Sequence, residues 1–251
     1  MTTLALYSNK GGVGKTAAAV NLAYLAAQSG YTTLLADLDP QGSATYYFRV
    51  EPKLKRKARG LVGGNKPLDN SIKATDYENL DLLPADFSHR NLDITFNSQK
   101  RRKKRLDIAF RQFRRDYDLI ILDCPPTINI VAENIFNVSD HLLVPLIPTT
   151  LSVHTHEQLL SFLANEGGNS SRVSAFFSMV DARKKMHHQI MDSLNARYEG
   201  ILRSAIPYLS QIEQMGIFRE PVPAFAPGSR ATTSYQALWA EIHEVLFKNG
   251  R

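Results

Sequence analysis

The sequence predicts an α/β protein with a twisted, mostly parallel sheet and helices on both faces. Two observations carry that expectation. Short apolar runs alternate with helical patterns along the chain, as parallel strands joined by crossover helices require. The run Leu119–Cys124 is apolar but for Asp123, which suits a strand covered on both faces.

Leu4–Tyr7 reads as a first strand opening onto a glycine-rich loop, and Ala17–Ala27 as a helix apolar nearly all round that packs on the sheet. Thr33–Leu38 is a second strand, and Leu80–Leu83 a third that stops before Pro84. After Leu119–Cys124, halted by Pro125-Pro126, further strands are expected at His141–Pro145, Val173–Met179 and Ile201–Ala205. In the stretch after Lys104, Leu106, Ala109, Phe110 and Phe113 share one helical face. A last helix at Thr232–Phe247 carries Tyr235, Leu238, Trp239, Ile242 and Leu246 at helical spacing, while residues 49–78 are polar, contain glycine and are expected to be irregular.

With 251 residues, 43% of them hydrophobic, the chain suits one large domain spanning 1–251. No apolar run approaches a membrane span, and the N-terminus lacks the basic start of a signal peptide. The single cysteine, Cys124, excludes a disulfide framework within one chain, fits a reducing cytosol and reads as a small buried residue. The pairs His154/His156 and His187/His188 have no Cys or carboxylate at ligand spacing, so a metal role is disfavoured.

Net charge is +6 but uneven. Residues 53–59 and 100–115 hold 14 of the 30 Lys and Arg and only one acid, Asp107, which leaves the remainder at −7. Local basicity of this kind suits a polyanion such as nucleic acid, with solvated surface as the plain alternative.

The strongest motif is Lys10-Gly11-Gly12-Val13-Gly14-Lys15-Thr16, set between a strand and a helix and closed by Ala17. Glycines let backbone N–H groups turn inward around phosphates, and a helix N-terminus adds partial positive charge. Lys15 is placed to reach the β- and γ-phosphates of a nucleotide, and the Thr16 hydroxyl to ligate Mg²⁺. Asp37-Leu38-Asp39-Pro40-Gln41-Gly42 ends the second strand, where alternation puts Asp37 and Asp39 on one side. One carboxylate could serve the metal and the other orient an attacking water. Asp123, ending the strand of Tyr117–Asp123, is the Walker B candidate for Mg²⁺.

NKGGVGKT, DLDPQGSAT and YDLIILDCPP together resemble the deviant Walker A ATPases of the ParA/MinD type. The resemblance covers nearly the whole chain, including Ser178–Arg183, Ala205-Ile206-Pro207 and the closing Tyr235–Leu238 helix. It implies ATP and Mg²⁺ as cofactors and an ATP-sandwich homodimer in which Lys10 reaches the partner's nucleotide. It further implies that Asp39 supports water attack, with Asp37 on the metal side, and that Met179 and Pro207 lie near the adenine. Ala17 stands where a second Thr is frequent, and Thr149-Thr150 replaces a more usual acidic-aromatic pair.

The resulting expectation is a ParA-like cytoplasmic, nucleoid-associated ATPase. It would dimerise on ATP, bind DNA without sequence preference and position a cargo whose ParB-like or other adaptor stimulates hydrolysis. Candidate DNA contacts are Arg101, Arg102 and Arg105 in the second basic run, with Arg111, Arg114 and Arg115 beside them. By family position, Arg219, Arg197 and Arg203 are preferred. Because the chain starts at its first strand, no N-terminal sequence-reading domain is expected. A MinD-like membrane-cycling regulator is the alternative, disfavoured by Glu241 and Glu244 in the final helix. An iron–sulfur role would need cluster cysteines, and no convergent residue set points to a ligase or kinase.

Overall fold

The computed structural model describes residues 1–52, 54, 57–62, 68–165 and 170–248. Eight strands form one sheet in the order β3-β4-β2-β5-β1-β6-β7-β8. They are β1 (Thr2–Leu6), β2 (Thr33–Asp37), β3 (Lys73–Ala74), β4 (Leu80–Leu83), β5 (Leu119–Asp123), β6 (His141–Leu146), β7 (Val173–Val180) and β8 (Ile201–Pro207). Every pairing is parallel except β3 against β4. The stretch expected to be irregular therefore contains a short edge strand. Two exposed residues give β3 no alternating apolar signal to read.

The helices are α1 (Lys15–Gln28), α2 (Ser43–Tyr47), α3 (Leu92–Asn97), α4 (Arg105–Phe110), α5 (Ile130–Val138), α6 (Thr150–Asn165) and α7 (Lys185–Arg197). Three single turns, α8 (Ser210–Glu213), α9 (Met215–Phe218) and α10 (Val222–Phe225), lead to α11 (Arg230–His243). α11 starts two residues before the sequence expectation, capped by Ser229, and ends in a wider π turn over Glu244–Lys248. The predicted helix after Lys104 is α for one and a half turns and then tightens into a 3₁₀ segment, Arg111–Arg115.

Strand alternation divides the core between the two faces of the sheet. Ala5, Leu34, Ala36, Ile120 and Leu122 point toward α3 to α7, where they meet Leu106, Phe110, Ile135, Leu163 and Leu194. Leu4, Leu6, Leu35, Leu119 and Ile121 point the other way, toward α1 and α11. α1 lies between the sheet and α11, which explains why its sequence is apolar nearly all round. Tyr235, Leu238, Trp239 and Ile242 of α11 are buried in that layer, and Trp239 donates to Ser29 Oγ at 2.9 Å. No described helix is long and apolar enough to cross a membrane.

β1 has β5 on one side and β6 on the other, and sequential order reverses at that point. In open parallel sheets such a reversal opens a crevice at the carboxyl ends of the strands. Lys10–Gly14, Asp37, Asp123, Met179 and Pro207 all lie at that edge.

Candidate functional site

The loop after β1 needs glycine for two reasons. Gly12 and Gly14 have φ of +70° and +91°, and a Cβ on Gly14 would fall 2.7 Å from Ser178 Oγ. Gly14 is also the N-cap of α1 and offers it no side-chain acceptor. The first-turn N–H groups, including those of Thr16 and Ala17, are thus left to an external anion. Gly11 has open space around it. Val13 is buried and anchors the loop's far side.

Lys15 is only 6% exposed, and its Nζ donates to the Lys10 carbonyl at 2.8 Å. Burial lowers its pKa, while the Asp123 carboxylate acts to raise it. Lys10 is half-buried, and its side chain makes no hydrogen bond or ion pair among the described residues.

Asp37 and Asp123 end adjacent strands in register, with Leu38 N donating to the Asp123 carbonyl at 3.0 Å. Asp37 Oδ2 accepts from Thr45 N at 2.8 Å and Thr45 Oγ1 at 2.7 Å, and Oδ1 accepts from Asp39 N at 3.2 Å. Burial nevertheless pushes its pKa up to about 6. Asp123 is fully buried, and neither carboxylate oxygen has a hydrogen-bond partner of ordinary geometry. Burial and the Asp37 charge push its pKa well up, opposed by the neighbouring Thr16 hydroxyl and Lys15. Asp39 is half-exposed at the crevice, its Oδ1 accepting from Gln41 N at 2.9 Å.

Thr16, Asp37 and Asp123 make an all-oxygen donor set, and a buried carboxylate without a hydrogen bond of ordinary geometry calls for a cation. Hard oxygens of this kind fit Mg²⁺. Asp37 is the less available of the two acids, because Thr45 holds it.

Met179, next to last in β7, has a left-handed conformation, φ 55°, and Pro207 at the end of β8 pairs in register with Val180. Both are half-buried on the crevice edge beyond Ser178. The sequence reading assigned no role to Thr45, Ser178 or Tyr7. Thr45 holds Asp37 and also donates to nothing else on that side while accepting from Ala85 N at 2.8 Å. Ser178 backs Gly14, and the buried Tyr7 hydroxyl donates to the Thr127 carbonyl at 2.7 Å. Thr45 lies within DLDPQGSAT and was the one open to discovery, as a hydroxyl eight residues after a strand-end acid.

The DNA candidates lie in different settings. Arg219 sits with φ 54°, donates to the Tyr46 carbonyl at 3.0 Å and stacks on the Tyr46 ring at 4.4 Å. Arg197 is paired with Glu157 at 2.9 Å. Arg203 is exposed on β8, where Glu241 accepts from its backbone N–H at 2.8 Å. Arg101 and Arg102 are exposed, whereas half-buried Arg105 donates through Nε to the Val62 carbonyl and at 3.3 Å to the Lys100 carbonyl. In the first basic run, Lys53, Lys55 and Arg56 lie outside the described residues.

A glycine loop on a helix N-terminus, flanked by acids at the ends of two neighbouring parallel strands, defines a P-loop fold of the deviant Walker A type. The chain matches the AAA_31 family, described as an AAA domain, over residues 1–172. It is 31% identical over 256 residues to the virulence plasmid ParA family protein pGP5-D of Chlamydia psittaci, covering 99% of this chain and 97% of that protein. A plasmid partition protein of Borrelia burgdorferi bound to AMPPNP superposes with a TM-score of 0.82 at 21% identity, covering 96% of this chain and 97% of that one. Cobyrinic acid a,c-diamide synthase of Mycobacterium smegmatis, with bound ADP and magnesium, shares the fold at a TM-score of 0.81 and 24% identity, covering 100% and 97%. The chain belongs to the AAA_31 family and is a ParA-family P-loop ATPase.

Proposed function

We propose that the chain binds ATP with Mg²⁺ at the Lys10–Ala17 loop, hydrolyses it, and uses the cycle to position a cargo. The observation that carries the chemistry is the buried Asp123 carboxylate, with no hydrogen-bond partner of ordinary geometry, beside Lys15 and Thr16. The ParA-family relative and the partition protein support the biological reading.

In this reading Lys15 gives up the Lys10 carbonyl for phosphate oxygens, and the first-turn N–H groups of α1 complete the cradle. Thr16 and Asp123, with Asp37 behind them, would hold Mg²⁺, which offsets charge on the β- and γ-phosphates when bound. Asp39 is the accessible acid and orients the attacking water. Asp37, fixed by Thr45, keeps the strand end in place. Met179 and Pro207 supply the wall for the base. Lys10, with an unengaged ammonium, acts on the nucleotide of a second copy, so ATP and dimerisation are linked.

The ATP dimer binds duplex DNA through its phosphates, and an adaptor on the cargo stimulates hydrolysis and release. Trp239 and Ile242, packed between α11 and α1, support this over membrane cycling, since they are not offered to a lipid surface. Sedimentation velocity with a non-hydrolysable ATP analogue, with and without duplex DNA, tests the proposal. A nucleotide-dependent dimer that comigrates with DNA is expected; a monomer under all conditions overturns it.

A further inference from the structure

The two basic runs are separated by more than 40 positions, yet the fold brings the described end of the first, from Lys57 on, beside the second. The 3₁₀ segment Lys57–Val62 packs against α3 and α4. Arg105 ties the two together, reaching the Val62 carbonyl with Nε and the Lys100 carbonyl with its guanidinium. Arg59 lies one 3₁₀ turn before Val62.

The second run is also held on a fixed frame. Fully buried Asn134 of α5 accepts from Arg105 N at 2.7 Å and Leu106 N at 3.2 Å, and donates to the Arg102 carbonyl at 2.7 Å. On this frame Arg59, Lys100, Arg101, Arg102 and Lys104 are exposed, and none of them forms an ion pair among the described residues. Arg102 touches only the neutral Asn97 Oδ1, at 3.4 Å. The nearby acids are already engaged: Glu133 with Lys103, and Asp107 with Arg111 and Arg114. Five like charges held together without counter-charges repel one another, and a polyanion relieves that repulsion.

Of the three arginines expected by family position, Arg203 is exposed without an ion pair among the described residues, and the other two are less available. Arg197 is neutralised by Glu157, and Arg219 is committed to Tyr46. The frame is also continuous with the nucleotide site. Thr45 links Asp37 to Ala85 N, and the next residue, Asp86, accepts from Leu54 N at 3.1 Å, where the first basic run begins.

From this juxtaposition we infer that the composite face of Arg59, Lys100, Arg101, Arg102 and Lys104 is the principal seat of the duplex DNA backbone. The inference rests on the DNA-binding reading above and names its surface. Contacts from exposed cations to phosphates carry no base readout, so binding is independent of sequence.

The test is fluorescence anisotropy of a labelled duplex with a non-hydrolysable ATP analogue across a salt series. Wild type is compared with the five-alanine variant of the face and with Arg197→Ala/Arg203→Ala/Arg219→Ala. Thermal melts check folding, and Lys100→Ala/Lys104→Ala serves if the larger variant does not fold. The slope of log affinity against log salt should fall by about 1 per cation removed from the face. Affinity near 0.1 M salt should fall at least about tenfold for the face variant, with most binding kept by the triple variant. The reverse pattern, or unchanged binding by the face variant, overturns the location alone. A wild-type chain that binds no duplex overturns the DNA reading itself. Face-dependent binding to phosphatidylglycerol vesicles in place of duplex overturns the inference in favour of a lipid surface.

Discussion

Asp37 and Asp123 are register partners on neighbouring parallel strands, and both carboxyls are fully buried. The two are treated differently by their surroundings. Thr45 gives Asp37 two hydrogen bonds on one oxygen, while Asp123 has none of ordinary geometry. Two like charges side by side in a dry site raise each other's pKa. Lys15 is the protein cation that opposes this at Asp123, and its Nζ is already turned toward the Lys10 carbonyl. The protein's own groups leave the charge of this pair incompletely balanced.

That incompleteness has a measurable pH signature. A carboxyl whose folded pKa is raised contributes stability at low pH, and loses it as pH climbs from the unfolded value to the folded one. For Asp37 the window runs from 3.8 to about 6, and Asp123 shifts in the same direction. His89 and His141, pushed down by burial to about 4, titrate with the opposite sign in the same range, so only a difference between variants is clean. In nucleotide-free, metal-free buffer, Asp123→Asn should melt higher than wild type by about 2–4 °C per kcal/mol gained. The difference should grow as pH rises from about 4 to 7. A variant less stable than wild type at pH 7 would refute the buried-charge account.

Lys15→Ala should abolish ATP binding. The side chain is buried at the loop, so its removal leaves the phosphates without a point charge inside the cradle. Isothermal titration with ATP and Mg²⁺ checks this, and unchanged affinity would mean that the loop is not the phosphate site.

Asp39→Ala should retain ATP binding and lose turnover. Asp39 is half-exposed at the crevice, whereas Asp37 is enclosed and committed to Thr45, so the geometry separates the two acids. Orienting water matters chiefly in the transition state, so the loss should fall on kcat with little change in nucleotide affinity. A normal steady-state rate would move the role to another group.

The parts of this site that were readable in the sequence are those where local backbone demands a residue type. Gly12 and Gly14 need positive φ, β5 needs a continuous apolar run, and Asp37 and Asp123 are the last residues of their strands. What was not readable depends on packing between distant segments. Ser178 meets Gly14 only because β7 reaches the loop edge, and Thr45 meets Ala85 only because β4 lies beside β2. The meeting of the two basic runs was hidden for the same reason. It depends on Asn134 and Val62, neither of which carries charge or belongs to a motif. β3 was missed because Lys73–Ala74 is exposed and too short to show a period.

Lys10 opens the glycine loop five residues before Lys15, and its surroundings bear on how it acts. Its carbonyl is engaged by Lys15, which ties its backbone to the loop, while its ammonium has no partner among the described residues. Loop placement is therefore independent of the Lys10 side chain, and removing that side chain should leave the loop's shape intact. An unengaged cation at the mouth of a phosphate site is free to act on a nucleotide held by a second copy. Trans-acting cations of this type contribute on the order of 10³- to 10⁵-fold in rate in related phosphoryl transfer. They also make the nucleotide part of the contact between subunits, so nucleotide affinity and dimer affinity become coupled. Lys10→Ala should accordingly bind ATP as a monomer, fail to dimerise and fail to hydrolyse. Analytical ultracentrifugation with a non-hydrolysable analogue, paired with a phosphate-release assay, measures both losses. A Lys10→Ala chain that dimerises and turns over like wild type would remove the sandwich mechanism and leave the P-loop assignment standing.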